Sequence, residues 1–171
     1  GAFGYEKVHY VAPPANHVEA EMSTFLEWFN ESHYIDPLIK AAIAHLWFVA
    51  IHPFGDGNGR ITRAIADMTL ARSGGGAQRL YSMSAAIGGS RLGYYEALQS
   101  ITSNEALDIT SWIEWFLDRL DNAVGGALAT LDNVMLKNDF WQKHAAHDLN
   151  PRQAKVLNRL LEGNFEGKLT S

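Results

Sequence analysis

Apolar residues recur three and four positions apart along most of the chain, which predicts a succession of α-helices. The segment 14–30 has this spacing on one face and is interpreted as an amphipathic helix. Asp36 then precedes a proline, the usual form of an N-cap followed by the first helical turn. The next segment, up to Ile51, is apolar on nearly all sides, as expected of a central, buried helix. His52 ends it, because a residue before proline is disfavoured in the α region.

The periodicity continues towards the end of the chain and predicts an all-α fold. Further helices are expected at 59–73, after Ser90, after Asp108, after the glycine pair 125–126 and after Asn150. Ser90 and Asp108 can act as N-caps, and the residues after Asn150 have the layout of a capping box with proline at its first helical position. The segment 81–89 has no clear pattern and its structure stays open.

The first thirteen residues differ from the rest. They mix β-branched and aromatic residues with polar ones and end at two consecutive prolines. This pattern predicts a short β-hairpin, with an extended arm as an equally open alternative.

Composition and charge narrow the class of protein. With 47% hydrophobic residues the chain is globular, and without cysteine it has no disulfide framework, which fits a reducing, cytoplasmic environment. No apolar run is long enough to span a bilayer, so no membrane partner is expected. The net charge is −5 and the arginines are scattered outside one motif. Both facts argue against nucleic acid as the main partner.

That motif lies between the two central helices. Gly55, Gly57 and Gly59 alternate there, so successive backbone N–H groups can converge on an anion at a helix N-terminus. Arg60 and Arg63 follow in the first helical turn, where cations oppose the helix dipole unless an anion is present. A di- or triphosphate fits these arginines, although ion pairs with surface carboxylates are an alternative.

Two further side chains of the motif can carry chemistry. Asp56 stands among donors suited to an anion, which favours a bridging Mg²⁺ over a role in capping the turn. His52 is suited to take a proton near neutral pH, although a lone histidine after an apolar helix is more often structural. A calcium loop is excluded because Ile61 occupies its obligatory glycine position, and a Walker loop lacks its lysine.

The sequence from His52 to Arg63 resembles the signature of the Fic family, His-Pro-Phe-x-(Asp/Glu)-Gly-Asn-Gly-Arg-x-x-Arg, at every specified position. The resemblance implies a Fic-type helical bundle around a central helix–loop–helix, with the N-terminal hairpin (about 1–13) as a flap. It also implies a Fic domain over 1–148 and an incomplete winged-helix-like segment over 149–171. The chain is therefore expected to be a piece of a longer protein, shortened at both ends.

The implied activity is Mg²⁺-dependent transfer of AMP from ATP to a Ser, Thr or Tyr hydroxyl of a target protein, which could be the chain itself. By resemblance, His52 is the base and Asp56 the Mg²⁺ ligand. The implied nucleotide-binding residues are Gly57, Asn58, Gly59, Arg60, Arg63, Tyr94 and Tyr95. The spacing of the two tyrosines with the leucines around them equally suits core packing. The flap residues Glu6, Lys7, Val8 and His9 would dock the target by strand addition.

Alternatives stay open at this level. The same fold could use another diphosphate-containing donor or remove AMP, and a regulatory DNA-binding module acting through 149–171 is a different class. Many family members pair the second motif arginine with a glutamate of an inhibitory helix. Glu27 and Glu114 have that helix's spacing, but each is followed by Trp, so both are interpreted as coincidences of packing. The inhibitor is expected upstream or on a partner chain, and a homo-oligomer is possible.

Outside the motif, three histidines are weaker candidates. His45 lies on the central apolar helix and is interpreted as a buried structural residue. His144 and His147 have the i, i+3 spacing of metal ligands, but no third ligand is evident, and both are interpreted as solvated surface residues.

Overall fold

The computed structural model describes residues 12–73, 81–102 and 108–162, and every regular element in these ranges is an α-helix. The helices are α1 (Val18–Glu31), α2 (Pro37–Ile51), α3 (Asn58–Ser73), α4 (Met83–Gly89), α5 (Arg91–Thr102), α6 (Thr110–Lys143) and α7 (Pro151–Leu161). The all-α prediction is confirmed for these residues. The predicted hairpin lies, except for its last two residues, outside the described ranges. None of the described helices combines the length and apolarity needed to cross a membrane.

The chain divides into two compact units, residues 1–123 and 124–171, with the boundary inside α6. The domain bounds predicted from the sequence, 1–148 and 149–171, stay a prediction.

The core of the first unit is built around α2. This helix packs most extensively against α3 and less so against α1. Phe25 and Phe29 of α1 meet Phe48 and Ile51 of α2 in one buried cluster. Each large apolar side chain removed from water in this way contributes about 1.5–3 kcal/mol. The prediction that α2 is a buried helix, made from its apolar character on nearly all sides, is therefore confirmed, because its neighbours cover it.

The ends of α2 are fixed by local chemistry. At the start, the Asp36 carboxylate accepts hydrogen bonds from the backbone N–H groups of Leu38 (2.8 Å) and Ile39 (3.4 Å). At the end, His52 adopts a left-handed conformation and its N–H donates to the Phe48 carbonyl. Both predicted boundaries are confirmed.

The open segment 81–89 contains a short helix. The Ser82 hydroxyl caps α4 by accepting from the Ala85 N–H, and Met83 and Ile87 are buried. The weak sequence pattern reflects the length of α4, which is too short to show a clear helical period.

The expectation of separate helices on either side of 125–126 was wrong, because α6 runs without a break from Thr110 to Lys143. Gly57 alone has a positive φ among the described glycines, so Gly125 and Gly126 adopt ordinary backbone angles. Glycine in a helix interior costs only about 1 kcal/mol relative to alanine, which neighbouring turns can offset. In the first unit, α6 is held to α2 by the Trp112 indole, which donates to the Ala42 carbonyl (2.8 Å).

In the second unit, α7 begins with the predicted capping box. The Asn150 side chain accepts from the backbone of α7, and the Gln153 side chain accepts from the Asn150 N–H. Trp141 of α6 donates to Asn158 of α7 at 3.0 Å, so side chains join the two helices. Residues 163–171 lie outside the described ranges, and the winged-helix segment stays a prediction.

Candidate functional site

His52 is presented at the end of the buried helix α2 by an unusual backbone conformation. Its φ of 50° is the sole positive φ of a non-glycine residue in the described part of the chain. For such a residue the left-handed region costs roughly 1–2 kcal/mol. This left-handed conformation turns the chain sharply, and the imidazole is exposed. An exposed imidazole on a rigid support can exchange protons with a ligand.

The loop after His52 is held in shape by Asn58, the first residue of α3. The Asn58 amide donates to the Phe54 carbonyl, and its oxygen accepts from the Phe54 N–H at 3.1 Å. The residue is only 3% exposed. Its side chain is therefore engaged inside the loop. The backbone N–H of Asn58 remains available for the nucleotide-binding role that the sequence predicts.

The glycines of the loop leave several backbone donors free. Gly57 has a φ of 88°, and its carbonyl accepts from the N–H groups of Arg60 and Ile61. Within the described residues, no acceptor bonds to the N–H groups of Asp56, Gly57, Asn58 or Gly59. These donors belong to the loop and to the positive end of the α3 dipole. The predicted anion nest has the free donors that it requires.

Both arginines of the motif lie along these glycines. A Cβ atom placed on Gly57 would be 3.5 Å from Nη2 of Arg60, and one on Gly59 would be 3.5 Å from Nη1 of Arg63. A side chain at either glycine would thus occupy the space beside a guanidinium. The combination of two cations with free N–H groups suits an anion that carries several oxygens.

The two guanidiniums have different partners. Arg60 forms an ion pair with Asp56 at 3.1 Å, and both side chains are largely exposed. Such exposed pairs contribute at most about 1 kcal/mol, so a ligand can displace one partner easily. Arg63 instead donates from Nε to the Ser84 hydroxyl of α4 at 2.9 Å. Neither Glu27 nor Glu114 pairs with Arg63 in the described part of the chain. Ser84 was not singled out from the sequence, which gives no sign that α4 meets α3.

Asp56 is the residue for which the sequence predicted a metal. No cluster of three or more His, Cys, Asp or Glu side chains that could hold a metal occurs in residues 12–73, 81–102 and 108–162. Mg²⁺ commonly binds through one or two carboxylates and completes its coordination with phosphate oxygens and water. A single exposed carboxylate beside an anion nest fits that mode, and it does not fit a metal site made of protein ligands alone.

Beneath the loop, His45 joins α2 to its neighbours. The residue is fully buried, its carbonyl accepts from the Thr62 hydroxyl of α3 (3.0 Å), and its Nε2 lies 3.3 Å from the Tyr94 hydroxyl. Nδ1 has no hydrogen-bond partner. The structural role predicted for His45 is confirmed by this burial and these bonds.

The two tyrosines of α5 have different surroundings. Tyr94 packs against Trp112 and Trp115, with ring centroids 6.0 Å and 5.8 Å away, and burial raises the pKa of its hydroxyl to about 12. Tyr95 is 58% exposed. Tyr94 is therefore part of the support under the loop, and Tyr95 is the one of the pair with a free surface.

We expect the burial of His45 to make stability depend on pH. Burial, aided by the charge of Arg63, lowers the pKa of His45 from 6.5 to about 3. Below pH 6.5 the unfolded chain binds this proton and the folded chain does not, so the free energy of unfolding falls as the pH drops towards 3. The slope is up to about 1.4 kcal/mol per pH unit. Urea unfolding from pH 7 to pH 4 measures it.

The matched variant is His45→Gln, which keeps a polar group facing Tyr94 but cannot titrate. Its stability should fall less steeply than that of the wild type over the same pH range. Parallel curves for the two proteins would show that His45 does not cause the dependence.

The family model and the known proteins to which this chain is similar agree with one another. Residues 3–70 match the model of the Fic/DOC family, and this segment contains the whole motif. "Protein adenylyltransferase fic-1" of Caenorhabditis elegans is 40% identical over 60 residues, which are 34% of this chain and 12% of that protein. "Protein adenylyltransferase Fic" of Nematostella vectensis is 36% identical over 67 residues, 38% of this chain and 16% of that protein.

A solved structure extends the similarity beyond the motif. The crystal structure of a Fic family protein from Desulfovibrio desulfuricans G20 superposes with a TM-score of 0.62 at 32% identity. The match covers 70% of this chain and 35% of the other. The aligned segments span less than a fifth of the curated relatives, and the match to the solved chain spans about a third of it.

Proposed function

We propose that this chain carries the active site of a protein adenylyltransferase, which moves AMP from ATP to a protein hydroxyl. The observation that carries the proposal is the convergence of free N–H groups with the guanidiniums of Arg60 and Arg63 beside an exposed His52. The names of the similar proteins support the same activity. An anion nest with a neighbouring base suits phosphoryl chemistry, where catalysis is mainly positioning and charge stabilisation.

In the proposed reaction, the oxygen of a target Ser, Thr or Tyr forms a bond to the α-phosphorus of ATP. The bond between the α-phosphorus and its bridging oxygen to the β-phosphate breaks, and pyrophosphate leaves. His52 takes the proton of the attacking hydroxyl. Its position at the mouth of the loop supports this role, because the base must approach both the target and the phosphate.

The loop and its arginines bind the phosphates. The free N–H groups at 56–59 hold phosphate oxygens, and Arg60 exchanges its exposed pair with Asp56 for the nucleotide. The released Asp56 would hold Mg²⁺, which when bound neutralises charge on the phosphates. Arg63 contributes a second guanidinium while its Nε stays on Ser84. Asn58 acts from within the loop by keeping these donors in place.

The remaining assignments extend the proposal outward. Tyr95 has the exposed ring suited to stack on adenine, with Tyr94 supporting α5 beneath it. The segment Glu6–His9 would dock the target chain, with this protein itself as one possible target. An inhibitory carboxylate from outside the chain would meet Arg63, since in the described part of the chain Arg63 bonds to a serine and to no carboxylate.

Two labels on ATP test the reaction. Incubated with Mg²⁺ and a cell lysate, the chain should transfer label to itself or another protein from ATP labelled at the α-phosphate. ATP labelled at the γ-phosphate should give no label beyond that in the lysate alone, because that phosphate leaves in pyrophosphate. Labelling from the γ-position would indicate a kinase-type transfer. No labelling from either position, with His52→Asn as background, would reject the proposal.

A further inference from the structure

A cavity lies at the end of the α2–α3 pair opposite the motif. It has a volume of about 280 Å³ and is bounded by the end of α1, the connection to α2, Lys40 of α2, and Thr69 and Arg72 of α3. Arg72 follows Arg63 by nine residues along α3, which is roughly 13 Å of helix. The cavity is thus separate from the loop that holds the motif.

Two cations line this cavity. Nζ of Lys40 lies 5.2 Å from the centre of the Phe29 ring, and the Arg72 guanidinium lies 5.7 Å from the same centre. The described lining contains no Asp or Glu. Neither cation forms an ion pair with any residue that the structure describes. Two positive charges therefore share one cavity, and the residues that the structure describes supply no counter-charge there.

Local contacts account for part of this arrangement. Lys40 donates to the Ser32 carbonyl at 3.0 Å, and Arg72 stands in the last turn of α3, where the helix dipole favours a cation. Carbonyl oxygens and aromatic faces supply only partial negative charge. The pKa of Lys40 is lowered by burial and then by the charge of Arg72. The two cations thus destabilise each other in the absence of an anion.

The hydroxyl groups of the cavity specify a second feature of a ligand. Ser32 and Thr69 are buried, and their hydroxyls donate to the carbonyls of Trp28 (2.6 Å) and Ile65 (2.8 Å). With its proton engaged, each hydroxyl oxygen can only accept a further hydrogen bond. The cavity therefore offers cations to an anionic group and acceptors to a hydroxyl or amino group of the same ligand.

We propose that this cavity binds a small organic anion, with its carboxylate or phosphate group between Lys40 and Arg72 and a hydroxyl or amino group on Ser32 or Thr69. The apolar part of the ligand lies against Phe29 and its neighbours. The volume of about 280 Å³ admits a small metabolite. The site is independent of the proposed AMP transfer.

Thermal unfolding and calorimetry with two probes test the proposal at constant ionic strength. Malate carries carboxylates and a hydroxyl. Inorganic phosphate carries the other anionic group, a phosphate, and no organic part. Chloride is the reference anion. We expect malate, phosphate or both to raise the melting temperature of the wild-type chain. The probe with the larger shift identifies the anionic group, and Arg72→Gln and Lys40→Gln should each weaken its binding roughly tenfold or more.

Two control variants separate this site from general charge effects and from the motif. Lys155→Gln removes one exposed charge from α7 and should bind the probe as the wild type does. Arg63→Gln removes a guanidinium of the motif and should keep malate's affinity for the cavity, whereas any phosphate binding lost in this variant is binding to the motif. The melting temperature of Arg72→Gln in chloride is the baseline for its anion-induced shift, because the variant loses its contacts with Phe29 and the helix dipole while it relieves repulsion from Lys40.

The proposal is overturned if neither probe shifts the melting temperature, or if both cavity variants bind the probe as tightly as the wild type. Equal losses of affinity in Arg72→Gln and Lys155→Gln would also reject it, because they would show that net charge alone attracts the anion. AMP transfer by Arg72→Gln is expected to match that of the wild type.

Discussion

Replacing His52 by asparagine should lower the rate of AMP transfer by about 10²–10⁴-fold, the usual contribution of a general base. The imidazole is exposed, so its loss removes little packing. Asparagine tolerates the left-handed conformation better than most residues, which preserves the turn at the end of α2. The rate is measured with ATP labelled at the α-phosphate, and ATP affinity and melting temperature are measured on the same samples.

The expected pattern is a loss of transfer with little change in ATP affinity or melting temperature. His52→Ala should lose as much activity and, having a less favourable left-handed conformation, somewhat more stability. Full activity in both variants would mean that another group takes the proton. Loss of ATP affinity together with activity would instead give His52 a role in binding.

Replacing Asn58 by alanine should have an effect of similar size through a different cause. The variant loses both hydrogen bonds to Phe54 and leaves those part-buried backbone groups without their side-chain partner. Each lost hydrogen bond costs about 0.5–1.5 kcal/mol, and together the two losses remove the contacts that hold the loop in shape. We expect a lower melting temperature, a large loss of ATP affinity and the loss of transfer.

The contrast between the two variants tests the roles assigned to them. His52→Asn should bind ATP without transferring AMP, whereas Asn58→Ala should do neither. Asn58→Asp is a sharper control, because it keeps the size of the side chain but replaces its donor by a charged acceptor facing the Phe54 carbonyl. Normal ATP affinity in Asn58→Ala would show that the loop keeps its shape without this amide.

Long, regular patterns made the helices predictable. The apolar face of 14–30 and the all-round apolarity of α2 match the core around Phe48, and Asp36 and Asn150 cap the helices that follow them. The glycine pair at 125–126 led to the wrong prediction of a helix boundary within α6. Weak helix propensity is overridden when neighbouring turns are favourable.

The chemistry of the motif was also contained in local sequence. His52, Asp56, Arg60 and Arg63 could be singled out as candidates from residue type and spacing, because a short loop and one helical turn bring them together in any fold. The alternative of ion pairs with carboxylates applies to Arg60, which meets Asp56, and does not apply to Arg63 in the described part of the chain.

Contacts between distant segments required the tertiary structure. The bond of Arg63 to Ser84 joins residues 21 apart, and that of His45 to Tyr94 joins residues 49 apart. No periodicity or spacing encodes such pairs, since they depend on how helices pack. For the same reason, a prediction that gave Tyr94 and Tyr95 one role could not distinguish a supporting ring from an exposed one.

The sequence by itself determined the helical class and the central helix–loop–helix, and it singled out the residues that we propose for the anion-binding loop, because these follow from local propensity and close spacing. Tertiary structure alone decided that Arg63 bonds to Ser84 and that Lys40 and Arg72 share a cavity. Both facts arise from packing, which sets whether a polar side chain finds its partner in the protein or leaves its charge for a ligand.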